Sequence, residues 1–113
     1  MQNVTYSEKL KQAPTLYRLA EKASTYLDDV ISRRFAPLVY VEWDGTQDDR
    51  GQPIVTLSLK EEGDEVTARF DPKELEDGRE AKSRMRDLWD DLLKLQIHKH
   101  FDKLSQIRAT VED

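Results

Sequence analysis

The 113-residue chain has no cysteine, only four glycines and four prolines, and no long hydrophobic run. Without cysteine there is no disulfide framework, thiol nucleophile or zinc ribbon. No apolar stretch approaches the ~20 residues needed to cross a bilayer, so the sequence predicts no membrane span and no membrane partner. The opening MQNVTYSEKLKQ lacks an apolar signal core, which makes the cytoplasm the expected location. Catalytic signatures are missing as well: there is no Gly-x-Ser-x-Gly elbow, no phosphate-cradling glycine loop and no His-Glu-x-x-His pair. The expectation is a protein that is not an enzyme and that carries neither cofactor nor metal.

What is present is charge. Charged residues make up 36% of the chain and the net charge is −5. Residues 1–37 carry a net +2, residues 38–78 a net −8 and residues 79–113 a net +1, so the acidity sits in the middle third. A non-specific nucleic-acid binder needs a basic surface to release counterions, so nucleic acid is not an expected partner.

Glycine and proline fall between periodic segments and mark the ends of elements. Leu16, Leu19, Ala20, Ala23, Tyr26, Leu27, Val30, Ile31 and Phe35 recur at helical spacing, which predicts a helix from about Thr15, as N-cap, to Phe35. Residues 1–14 are expected to be loosely ordered, with a helical turn between Thr5 and Ala13. Three strands follow: Leu38–Trp43, Ile54–Lys60 and Glu65–Phe70, the last two alternating apolar and polar residues. Gly63 suits a tight hairpin, whereas the acidic stretch Asp44 to Pro53 reads as a mobile loop. Asp71-Pro72-Lys73-Glu74 opens a turn that Gly78 breaks from a final helix over about Arg79 to Ile107, with Asp77 and Glu80 as a second capping pair. The predicted fold is a single α+β domain over residues 1–113 in the order α-β-β-β-α, a three-stranded antiparallel meander with both helices on one face.

The final helix is long for so small a chain, roughly 43 Å at 1.5 Å per residue. Its apolar residues also change direction. Met85, Leu88, Trp89, Leu92, Leu93 and Leu95 share one face, while Ile97, His100, Phe101, Leu104, Ile107 and Val111 share another, rotated by about 100°. The first face suits the sheet residues Val55, Leu57, Leu59, Val66 and Phe70. The second needs another partner: the first helix, a second copy in a homo-oligomer, or a different protein. Ile97, His100, Phe101, Leu104 and Ile107 are therefore the interface candidates for a protein-interaction module. Protonation of His100 in such an interface would add buried charge and loosen it.

Arg79, Lys82 and Arg86 share a face at the start of the same helix, against the positive end of its dipole, which makes them phosphate-binding candidates. The element order together with Gly78-Arg79-Glu80-Ala81-Lys82-Ser83-Arg84 resembles a double-stranded-RNA-binding domain. That resemblance implies phosphate contacts from Lys82, Arg79 and Arg86 at the start of the last helix. The chain lacks the family's consecutive lysines, and its first inter-strand loop is acidic. The competing structural reading is a lattice of i,i+4 ion pairs: Glu80–Arg84, Arg86–Asp90 and Asp90–Lys94. His98 and His100 point about 200° apart and cannot share a metal. Asp44, Asp48 and Asp49 lack the alternating oxygen ligands and closing glutamate of a calcium loop, so they read as solvated. Tyr40, Thr56, Ser58, Thr67 and Arg69 are expected on the open sheet face, and Trp43 and Trp89 in or beside the core.

Overall fold

A computed structural model describes the backbone of residues 3–31 and 39–112 and the side chains of residues 4–27, 29–31 and 39–98. The elements are β1 (Asn3–Tyr6), α1 (Glu8–Lys11), α2 (Pro14–Val30), β2 (Tyr40–Gln47), β3 (Pro53–Glu61), β4 (Asp64–Phe70), α3 (Pro72–Glu76) and α4 (Gly78–Glu112). The architecture is α+β, with a mixed sheet of four strands in the order β1-β2-β3-β4 and a long C-terminal helix.

The expected three-stranded antiparallel meander is thus corrected to four strands with one parallel pair. The meander β2-β3-β4 is antiparallel, with Trp43 opposite Leu57 and Leu57 opposite Ala68. The additional strand is β1, which runs parallel to β2 with Val4 against Val41 and Tyr6 against Trp43. Its residues were expected to be loosely ordered. They are held because Val4 and Tyr6 pack against the core while Thr5 faces out, the alternation a half-buried strand requires. Tyr6 also donates to Ser24 Oγ of α2 (3.0 Å) and stacks edge-on against Tyr17 (5.1 Å). The helical turn expected between Thr5 and Ala13 is α1, opened by Ser7, whose hydroxyl accepts from the Leu10 amide.

One sheet face is buried. Val41 and Trp43, then Val55, Leu57 and Leu59, then Phe70 form the sheet side of the core. Ala20, Ala23 and Leu27 of α2 and Ala81, Met85, Leu88, Trp89 and Leu92 of α4 form the helix side. Both tryptophans are core residues, with Trp43 6.3 Å from Phe70 between ring centres. Tyr40, Glu42, Thr67 and Arg69 face solvent on the opposite side. There Lys60 bridges Glu42 (2.9 Å) and Glu65 (3.7 Å) across three strands, and Ser58 and Thr67 share a hydrogen bond (2.9 Å).

Local chemistry explains the boundaries. Glu62 and Gly63 both adopt positive φ (51° and 84°), as a two-residue type I′ hairpin demands. The stretch expected as a mobile loop is shorter and tied down, because β2 and β3 stay paired as far as Gln47 opposite Pro53. Asp48 then closes the turn, its Oδ1 accepting from the amides of Arg50 (2.8 Å) and Gln52 (2.9 Å). Helix α2 begins at Pro14, after an Ala13 cap, and ends at Val30, where Ile31 leaves helical geometry with its side chain buried. The expected extension to Phe35 falls outside the described residues. Asp71 and Glu74 form a complete capping box on α3, and Asp77 Oδ1 accepts from the amides of Arg79 and Glu80 at the start of α4.

Candidate functional site: two ends of one helix

Helix α4 has 35 residues, about 52 Å of length, and the molecule measures 59 × 32 × 24 Å. Its radius of gyration is 16.8 Å, against the ~13 Å of a compact chain this long. The helix therefore overhangs the body. Its buried residues are Ala81, Met85, Leu88, Trp89 and Leu92, and the helix packs against α2, α3, β3 and β4. Leu95 shares their direction on the wheel yet is 43% exposed, so the sheet's cover has ended by that turn. Ile97, on the rotated face, is 54% exposed. Of the interface candidates, Ile97 is thus placed on solvent, while the side chains of His100, Phe101, Leu104 and Ile107 lie outside the described residues.

The other end of α4 gathers cations. Arg79, Lys82, Ser83 and Arg86 line an open groove of about 570 Å³ with Gly78 and with Tyr26 from α2. Lys82 Nζ lies 3.0 Å from Asp29 Oδ2 and 5.8 Å from the centre of the Tyr26 ring. Gly78 is the first residue of the helix, and its lack of a side chain has a packing reason. A Cβ there would stand 2.9 Å from Tyr26 Oη and 3.2 Å from its Cζ. The three phosphate-binding candidates are therefore brought to one surface, and α2 supplies a wall that helical spacing alone could not reveal.

The expected i,i+4 lattice does not form: none of its three pairs is closed among the described residues. Arg84 turns from Glu80 to Glu74 on α3, donates Nη2 to the Arg69 carbonyl (2.6 Å) and lies over the Phe70 ring (4.3 Å). The nearer acid is exposed, whereas these partners let one guanidinium use its fork and its flat face together. Arg84 is the structural cation that sequence spacing missed.

The acidic residues of the β2–β3 region have internal work. Asp44 Oδ1 accepts from the Ser7 hydroxyl (2.6 Å) and the Gly45 amide (2.8 Å), fastening α1 to β2, and Asp48 organises its own turn. Among the described residues no three His, Asp or Glu side chains cluster as metal ligands, and no helix is long and apolar enough to cross a membrane.

The resemblance to double-stranded-RNA-binding domains does not extend to topology, because this sheet has a fourth strand and a parallel pair. Compared with known proteins, the chain matches no family model, no curated sequence and no solved structure.

Proposed function

We propose that the protein is a non-enzymatic interaction module that self-associates, two copies pairing through the outer half of α4. The observation that carries this reading is the exposure of Leu95 and Ile97 on a helix that continues beyond the body. From Leu93 to Glu112 the helix extends about 30 Å, and Phe101, Leu104, Ile107 and Val111 continue the spacing that Ile97 begins. A row of this kind suits a facing helix.

Charge favours a second copy as the occupant. The outer half of α4 carries Lys94, Lys99, Lys103 and Arg108 against Asp102 and, at its end, Glu112. An antiparallel pair in register about Leu104 sets Glu112 of each copy beside the turns of Lys94 and Lys99 of the other, whereas a parallel pair superposes like charges. Such an arrangement is self-complementary, as a two-fold interface must be.

Light scattering across a dilution series tests the reading. The expected result is a dimer that dissociates on dilution and is lost in Ile97→Lys and Leu104→Lys, with the monomer's helix content and unfolding midpoint unchanged. A strict monomer at the highest attainable concentration overturns it.

A further inference from the structure

We propose that the groove between α2 and the start of α4 binds a small organic phosphate, held by Arg79, Lys82 and Arg86. Three observations converge on that ligand class. The first is the inventory of the lining. It offers two guanidinium groups, one ammonium and the hydroxyls of Ser83 and Tyr26, with no carboxylate among the described lining residues. Such a set donates hydrogen bonds and presents positive charge, so it recognises an anion. The planar fork of each arginine matches the oxygens of a phosphate in two-point contact.

The second is the lack of internal neutralisation. In a chain with 23 acidic residues, Arg79 and Arg86 make no ion pair among the described residues. Among the described residues Lys82 alone of the three has an acid, Asp29, which together with the Tyr26 ring holds its ammonium at the groove wall. Three like charges on adjacent turns repel one another, and they also oppose the helix dipole. A bound dianion relieves both terms. The backbone amides of Arg79 and Glu80 are already taken by Asp77, so the side chains provide the attraction.

The third is extent. Arg79 and Arg86 are seven residues apart, about 10 Å along the helix. Beyond them stand Asp87, Asp90 and Asp91 on one side and Glu76 and Asp77 on the other. The positive surface is thus bounded at both ends by carboxylates. One or two phosphate groups fit between those limits, while a nucleic-acid strand continuing past either end meets repulsion. The volume of about 570 Å³ leaves room for an organic group beside a diphosphate.

The test titrates the full chain, labelled for NMR, with inorganic pyrophosphate and in parallel with a duplex RNA of about 16 base pairs, the span of a double-stranded-RNA-binding domain. Pyrophosphate is expected to move the amide signals of residues 78–86 and the Tyr26 ring signals. Arg79→Ser/Arg86→Ser is expected to weaken that binding at least tenfold. Both arginines are exposed and their removal relieves repulsion, so the ligand-free unfolding midpoint of the double variant should not fall. Lys82→Met should weaken binding by a smaller factor. Absence of saturable shifts, shifts centred elsewhere, or equal affinity in the double variant overturns the proposal. So does tighter binding of the RNA with a salt dependence of more than three phosphates, which would assign the groove to nucleic acid.

Discussion

Replacing Arg84 probes the join between β4, α3 and α4 more sharply than any core truncation. Its guanidinium reaches Glu74, the carbonyl of Arg69 at 2.6 Å and the face of Phe70 at 4.3 Å. A partly exposed ion pair contributes up to about 1 kcal/mol. A charge-assisted bond to a backbone carbonyl adds about 1 kcal/mol, and a cation over an aromatic face about 0.5–1 kcal/mol. These share one side chain and are not additive, so Arg84→Ala should destabilise the protein by roughly 2 kcal/mol. For a domain near this size that corresponds to a fall of roughly 10 °C in the unfolding midpoint. Arg84→Lys keeps the charge but cannot meet Glu74 and the carbonyl while lying flat on Phe70, so it should lose roughly half as much. Urea denaturation measures both, and a double-mutant cycle with Glu74→Gln isolates the ion pair at about 0.5 kcal/mol. The reasoning fails if Arg84→Lys is indistinguishable from the parent, or if Arg84→Ala costs less than about 0.5 kcal/mol.

Two further outcomes follow from the same geometry. Leu92→Ala removes a fully buried side chain and should cost about 3 kcal/mol, whereas Ile97→Ala in dilute solution should stay within about 0.5 kcal/mol, both read from denaturation midpoints. The hydrogen bond from Lys60 to Glu42, aided by the charges of Glu42 and Glu65 and opposed by a smaller desolvation, raises the lysine's pKa above its ordinary 10.5. Stability from a raised lysine is fully present below the unfolded value and is lost as pH rises through the folded one. The difference between the parent and Lys60→Met should therefore hold at neutral pH and vanish in alkali above that value; a gap that persists there would mean packing, not charge, sets it.

The parts of the fold legible in the sequence were those fixed by neighbouring residues. Alternation located β3 and β4, proline and glycine bounded them, and Asp71 with Glu74 announced a helix start that the structure completes as a capping box. What escaped depends on distant partners. Strand β1 is four residues long, too short for Val4 and Tyr6 to establish a period, and its pairing with β2 spans a crossover of two helices. Arg84 had an acid four residues away, and the local rule could not weigh that against Glu74 on a separate helix. Asp48 read as solvated because composition does not say where a carboxylate's lone pairs are used, and here backbone amides take them. The cationic face was visible as spacing, but its groove was not, since the opposite wall comes from Tyr26 some fifty residues earlier.

The change of direction along α4 now has a physical cause. A helix needs one apolar face where it lies on a sheet, and that requirement lapses where the sheet ends, between Leu92 at full burial and Leu95 at 43% exposure. Past that point the apolar row is free to follow whatever surface it meets, and in this sequence it turns by about 100° rather than disappearing. The buried segment between Ala81 and Leu92 thereby separates the cationic groove at one end from the projecting row at the other. Coupling between two such sites requires an element with two alternative packings that both ligands bias. A close-packed helix seated on a sheet by Met85, Leu88, Trp89 and Leu92 is the opposite of such an element. Occupying the groove should therefore leave self-association unchanged: light scattering with and without pyrophosphate should give the same dissociation on dilution, and a shift would refute the independence of the two ends.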